Sequence, residues 1–583
     1  MPTPHLPSCL PLRALATAAA SGLALTAALL AASPVAADAP SPRPARVQEG
    51  HAEHAMVAAA NPLAVATGLR VLKAGGSAID AAVAVQAVLG LVEPQSSGLG
   101  GGAFMVYYDA KTHQTMAYDG REVAPSGANP SQFMGADGRT LPFGTAVLGG
   151  ISSGVPGAIA MLDMAQKEHG RLPWKMLFAP ARQLASDGFI VSPRLAGMIV
   201  GHQPENAAPD VQAYFTKPDG TPYRAGDRLV NAAYAATLDT IAEKRSAGLL
   251  TGPIAAHIVA RLHAGPLPST ITLADLAAYR PRKTPAMCRP YRAYTVCTPQ
   301  APSGGPALQE ALGLLQHTDI GKRNAGDAVA WFTFAQASRL AYADRDRYEG
   351  DPAFVPLPAG LLAPAYLSAR AKLIGDQIGP VTFGRPAGAP LPGRDATKEP
   401  GGTSHFVIVD PAGNVVSMTT TVESIFGNGR MVDGFFLNNQ LTDFSFDPSN
   451  GDGTPAANAL APGKRPRSSM SPTIVLGRDG RFAAAVGSPG GASIVAYVLK
   501  ATVAMLDWGM SPQAAVSLPN LVAKGDHFGA DPFAPEIMSA LAARGLVLQT
   551  SRGEESGLHA VVKRPGGYEG GADPRREGLA RGF

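Results

Sequence analysis

The sequence predicts a mixed α/β fold in which helices are layered on sheets. Three observations carry this. Two apolar helical patterns lie near the start, over 61–75 and 77–92; the text from about 150 to 280 is mostly helical; and after 403 it turns to strands divided by tight turns. The chain has 583 residues, 46% of them apolar, which is enough for a large core. Lys plus Arg number 49 against 45 Asp plus Glu, with no block of like charge. That balance points to no nucleic-acid partner and no polybasic membrane contact.

Arg13 precedes an apolar stretch from Ala14 to Ala32, and Val35-Ala36-Ala37 reads as a small-residue cleavage site before Asp38. Residues 1–37 are therefore expected to be a signal peptide, and the mature chain to be periplasmic or secreted and free of the membrane. An uncleaved anchor competes with this, but the break at Pro34 favours cleavage. Cys9 leaves with the signal. Cys288 and Cys297 flank a short Tyr/Val-rich segment that reads as a hairpin. A disulfide between them and two free thiols both stay open, with a structural role in either case.

Asn61-Pro62 starts the first helix with a capping side chain and a first-turn proline, and Gly75-Gly76 ends it. Ser77 and Asp80 resemble a capping box opening a second helix to about Val92. Gly98, Gly100 and Ala103 match a dinucleotide-binding spacing, but that motif must follow a strand and open a helix. Here a helix precedes and Phe104–Tyr108 reads as a strand, so a tight turn or close backbone approach is expected. A hairpin over 104–118 ends in Asp119-Gly120-Arg121-Glu122. Pro299–Gly305 is a loop and helices fill 306–345. Residues 377–402 are rich in Pro and Gly, as an exposed, cleavable or mobile segment is. Two strands turn over Pro411-Ala412-Gly413-Asn414, Val432–Leu437 reads as one strand, and Arg478-Asp479-Gly480 marks a hairpin. Gly487–Gly491 then leads into a helix to about Leu506.

Thr403 opens the first strand of this β region behind Gly401-Gly402. It reads as an ordinary β-branched strand residue. The competing reading is a nucleophile exposed by cleavage of the Gly402–Thr403 bond, because a freed α-amine supplies the base that a threonine hydroxyl lacks. That amine has a pKa of about 7.7–8.0. Gly490 and Gly491 lie between a strand and a helix N-terminus, where backbone N–H groups suit an oxyanion. Ser468 and Ser469 sit behind a basic loop. Arg121 is either paired with Glu122 or free to clamp a carboxylate. Glu423, Gln440 and Asp443 are acceptors suited to an amine.

These residues together resemble the γ-glutamyltranspeptidase family of N-terminal-nucleophile hydrolases, over about Met56–Phe583. The resemblance rests on six segments in order: Asp119–Pro125, Gly401–His405, Leu437–Gln440, Pro466–Pro472, Gly487–Gly491 and Gly571–Gly578. It implies a four-layer αββα sandwich made as an inactive precursor. The precursor cuts itself before Thr403, leaving a large chain, 38–402, and a small chain, 403–583, as one heterodimer. It implies that Thr403 attacks the γ-amide of glutathione or a related donor, with Thr421 orienting it and Gly490 and Gly491 as the oxyanion hole. Arg121, Ser468 and Ser469 would surround the substrate α-carboxylate, and Glu423, Gln440 and Asp443 its α-amine. The acyl group would pass to water or to an amino-acid or peptide acceptor. No cofactor and no metal are expected, and the histidines lack ligand spacing. His405 is expected to be structural. Ser445–Pro462, where some members carry a lid, has no large aromatic beyond Phe446, so a more open pocket is expected. Two other readings compete: a glutaryl or cephalosporin acylase of the same family, and an exported binding protein that never matures.

Overall fold

The computed structural model describes residues 49–201, 204–390, 393, 395, 397–399, 401–449, 453–550 and 556–583. The expected signal peptide, its cleavage site and Asp38 lie outside the described residues.

Among the described residues, fourteen strands build two large sheets. They are β1 (Gly50–Ala52), β2 (Met56–Ala59), β3 (Gly102–Tyr108), β4 (Thr115–Gly120), β5 (Arg282–Pro285), β6 (Met287–Tyr291), β7 (Tyr294–Thr298), β8 (Thr403–Val409), β9 (Val415–Thr421), β10 (Thr473–Leu476), β11 (Phe482–Gly487), β12 (His559–Arg564), β13 (Gly567–Ala572) and β14 (Leu579–Gly582). One sheet runs β1-β13-β12-β11-β10-β7-β6 and the other β14-β2-β8-β9-β3-β4-β5. Every pairing within them is antiparallel.

Side-chain alternation along β8 shows how the layers stack. Phe406 and Ile408 pack with α1 (Pro62–Lys73) and α2 (Ala78–Val92) on one side of their sheet. Val407 and Val409 point the other way, into a core shared with Ile474, Ala485 and Val561 of the facing sheet. The outer face of that second sheet, with Val475 and Val486, is covered by α3 (Gly305–Leu315), α4 (Ala328–Tyr348) and α5 (Ile494–Leu506). Three cores between four layers make the αββα sandwich. All fifteen residues of α2 are buried, which accounts for its apolar character on every side.

The local signals at the start hold. Asn61 Oδ1 accepts from Leu63 N–H, and Ser77 with Asp80 makes a full capping box. Gly100 and Gly101 before β3 are required by close approach: a Cβ on Gly100 would lie 2.3 Å from the Phe436 carbonyl oxygen, and one on Gly101 1.9 Å from that of Thr421. Cys288 and Cys297 are disulfide-bonded across the β6–β7 pair.

Two expectations need correcting. Val432–Leu437 is not one strand but a tight hairpin, Met431–Val432 with Phe435–Phe436, turning on Asp433 (φ 46°) and Gly434 (φ 88°). The Asp-Gly pair carries this turn and was hidden among apolar neighbours. The end of the 377–402 segment is not exposed: Asp395 and Gly402 are buried, and the Glu399 side chain is only 3% accessible. The charges that hold it come from elements distant in sequence.

Candidate active site

Thr403 begins β8 on the face that looks toward the other sheet, and it pairs in register with Thr421 at the end of β9. The Thr403 hydroxyl donates to Thr421 Oγ1 at 3.2 Å, and the Thr421 hydroxyl donates to the Gly402 carbonyl at 2.7 Å. Thr421 Oγ1 also accepts the Glu423 N–H at 2.8 Å. A run of hydroxyls thus connects the nucleophile candidate to the carbonyl just before it. A side chain at position 402 would meet the Glu423 carbonyl oxygen at 2.0 Å, so only glycine fits there.

Beyond β9 the backbone turns sharply, with Glu423 at φ 83°, an uncommon conformation for a non-glycine residue. Its carboxylate accepts from Gln440 Nε2 at 3.1 Å, and the same nitrogen donates to Asp443 Oδ2 at 2.7 Å. Gln440 and Asp443 sit on a single 3-10 turn, Gln440–Asp443. Asn438 Oδ1 accepts from Gln440 N–H and so braces the start of this turn. Glu423 Oε1, Gln440 Oε1 and Asp443 Oδ1 are buried without a partner among the described residues. Burial and then the Asp443 carboxylate push Glu423 well above the usual carboxylate range. Burial likewise raises Asp443, against the pull of Arg121. Two buried carboxyl groups with open acceptor atoms are a ready socket for a cation.

Arg121 is buried and heavily engaged. Its Nη2 donates to Asp443 Oδ2 at 2.5 Å and to the Arg467 carbonyl at 2.8 Å, and its Nε to the Pro466 carbonyl at 3.2 Å. Its distance to Glu122 is 3.7 Å. Arg121 therefore ties the Asp443 turn to the Ser468-Ser469 segment. That segment is braced from behind, where Ser468 N–H donates to the Pro302 carbonyl and Gly304 N–H to that of Met470. A Cβ on Gly304 would press on the Ser469 carbonyl at 2.5 Å. This gives the 299–305 loop a positioning role.

Gly490 (φ 134°) and Gly491 (φ 54°) form the turn ahead of α5. A side chain on Gly490 would strike the Tyr497 ring at 2.5 Å. The next residue, Ala492, donates its N–H to the Glu399 carbonyl at 3.0 Å. Arg121, Thr403, Thr421, Glu423, Asp443, Ser468, Ser469 and Gly491 line one small cavity, and Glu399 lines it with them. Gln440 borders it through its bonds to Glu423 and Asp443.

Four participants escaped the sequence reading. Arg576 donates to the Thr403 carbonyl at 3.0 Å and anchors the start of β8; it lies within the Gly571–Gly578 motif, which was its signal. Glu399, Arg345 and Arg467 cluster beside Ser469; Arg467 lies within the Pro466–Pro472 segment, while Glu399 and Arg345 carried no recognisable pattern. His405 does not join the site. Its Nδ1 bonds Thr419 Oγ1 at 2.9 Å and its ring fills the notch at Gly487. Burial and then His559 push its pKa well below the usual histidine value, so the ring is neutral.

Comparison with known proteins agrees with this geometry. The chain is 35% identical over 548 residues to the glutathione hydrolase proenzyme of Bacillus subtilis (strain 168), covering 91% of each chain. It is 36% identical over 560 residues to the glutathione hydrolase proenzyme of Escherichia coli (strain K12), again covering 91% of each. The crystal structure of cephalosporin acylase from Bacillus halodurans superposes with a TM-score of 0.82 at 28% identity, covering 94% of this chain and 99% of that one. Residues 64–583 match the family model described as gamma-glutamyltranspeptidase, and the chain belongs to that family of enzymes.

Proposed function

We propose that the enzyme cuts itself before Thr403 and then takes γ-glutamyl groups from glutathione or a related donor to water or to an amino-acid or peptide acceptor. The observation that carries this reading is the hydroxyl run from Thr403 through Thr421 to the Gly402 carbonyl. In the first reaction Thr403 Oγ attacks the Gly402 carbonyl carbon, which Thr421 polarises. The C–N bond breaks, the hydroxyl proton goes to the departing amine, and an ester links Gly402 to Thr403. Water opens the ester, leaving a carboxylate on Gly402 and a free hydroxyl and α-amine on Thr403. That amine, with a pKa of about 7.7–8.0, then serves as the base for the same hydroxyl.

The donor's γ-amide carbon meets Thr403 Oγ, and the N–H groups of Gly490 and Gly491 receive the oxyanion. The α-amine enters the socket of Glu423, Gln440 and Asp443, whose three open acceptor atoms suit an ammonium. Arg121, Ser468 and Ser469 take the α-carboxylate side. The acyl-threonine ester then yields to water or to an acceptor amine. The chains 38–402 and 403–583 stay together as a heterodimer exported to the periplasm or beyond.

The likeness to a cephalosporin acylase favours a second reading, cleavage of glutaryl amides. A glutaryl group has no α-amine and would leave the acidic socket unpaired, which supports the γ-glutamyl reading. Two measurements test the proposal. Denaturing electrophoresis with intact mass should give two fragments for the wild type, the smaller starting at Thr403, and one uncut chain for Thr403→Ala. Anilide assays should favour γ-glutamyl over glutaryl; an uncut wild type refutes the maturation step, and a large glutaryl preference refutes the donor.

A further inference from the structure

Glu399 stands four residues before Thr403, and its side chain reaches back into the cavity that Thr403 lines. Its two carboxylate oxygens lie 2.8 and 2.9 Å from Arg345 Nη2. Arg467 Nη2 is 3.3 Å away, and the Ser469 hydroxyl donates to Glu399 at 2.5 Å. With this carboxylate in place the cavity has only about 10 Å³ of free volume, no more than one water requires. No donor enters such a space. The carboxylate rests on a hydroxyl, Ser469, that the proposed function assigns to the donor.

The surrounding charges show what the segment before Thr403 supplies. The Arg345 and Arg467 side chains are 0% and 1% accessible. Around them stand Asp346, Glu349, Asp395 and Glu399, with Lys524 paired to Asp346 at 3.0 Å. Asp395 and Glu399 both belong to the segment that ends at the scissile bond. If that segment withdraws after cleavage, three cations face Asp346 and Glu349 alone. Two anions do not balance three cations, two of them buried guanidinium groups, so the pocket then favours an added anion.

We propose that Arg345, Arg467 and the Ser469 hydroxyl form a carboxylate subsite of the matured enzyme, which Glu399 fills until the Gly402–Thr403 bond is cut. The inference rests on the γ-glutamyl reading above. The ligand is a carboxylate of the donor, either its α-carboxylate or one on its leaving group.

Steady-state kinetics of the matured Arg467→Met variant distinguish the two sources. A rise in KM of roughly 10- to 100-fold with both γ-glutamyl-p-nitroanilide and glutathione, kcat moving less, assigns the subsite to the α-carboxylate. The same rise with glutathione alone assigns it to the leaving group. An active wild type with KM unchanged in the variant for both donors overturns the proposal. A wild type that is cut but hydrolyses neither donor overturns the γ-glutamyl reading itself, and the subsite with it.

A second measurement does not depend on Arg467→Met folding or maturing. In the uncut Thr403→Ala chain, Glu399→Ala should create a cavity that propionate fills. Propionate should then raise the melting temperature of the double variant above that of Thr403→Ala, with chloride at equal ionic strength as control. Equal shifts in the two proteins overturn the proposal.

Discussion

At the scale of single residues, the site is a set of buried polar atoms whose partners are incomplete, and each open atom predicts a measurement. Among the described residues Asp443 Oδ1 has no hydrogen-bond partner, while Oδ2 is held by Arg121 and Gln440. Asp443→Asn removes the charge that answers an ammonium and keeps the shape. Its kcat/KM should fall roughly 10- to 100-fold with a γ-glutamyl anilide and far less with the glutaryl analogue. An equal loss on both would show that Asp443 serves only the fold. Among the described residues the buried Glu122 carboxylate has no hydrogen-bond partner, and burial pushes its pKa up to about 8 from 4.5. Below about pH 4.5 it is protonated in the folded and unfolded chain alike, and its contribution is constant. Between about 4.5 and 8 the unfolded chain releases the proton and the folded chain keeps it, so stability falls as pH rises. Glu122→Gln should therefore melt like the wild type near pH 4.5 and a few degrees higher near pH 8, by differential scanning calorimetry.

At the scale of elements, β9 is held from two sides, and its end decides where Thr421 stands. Gly101 lies against the Thr421 carbonyl, while a Cβ on nearby Gly98 would meet nothing closer than 3.9 Å. Gly101→Ala should displace the end of β9 and leave most of the chain uncut by electrophoresis, whereas Gly98→Ala should cut like the wild type. Equal cutting in both would mean that Thr421 tolerates the shift. The β6–β7 hairpin is closed by Cys288–Cys297, nine residues apart in sequence. Replacing both with serine should cost about 2–3 kcal/mol by the entropy of so short a loop, read from urea unfolding midpoints.

At the scale of the whole molecule, the proposed cut before Thr403 would divide the sequence without dividing the fold. β8 opens the part after the cut, yet it lies between β2 from before the cut and β9 from after it. The second sheet is shared in the same way, with β6 and β7 beside β10 and β11. Backbone ladders and three buried cores therefore join the two pieces. The fragments should co-elute from a sizing column in native buffer and separate only in denaturant. Separation in native buffer would contradict a stable heterodimer.

The sequence by itself determined what is written locally. The caps at Asn61 and Ser77, the hairpin at Arg478-Asp479-Gly480 and the rejection of a dinucleotide loop at Gly98 all follow from short-range sterics and capping. The candidate site residues were legible because their motifs are short and keep their order, so their grouping could be read as a family resemblance. Tertiary structure decided what depends on contacts between distant segments. It turned Val432–Leu437 into a hairpin, closed the disulfide, and spent most of Arg121 on Asp443 and two carbonyls. It also drew Glu399 out of solvent. A Pro- and Gly-rich segment reads as exposed because it carries few apolar residues. Arg345, on a helix some fifty residues earlier, and Arg467, some seventy later, supply the buried charge that holds it in. Burial by ion pairing has no periodicity along the chain, and so only the folded molecule reveals it.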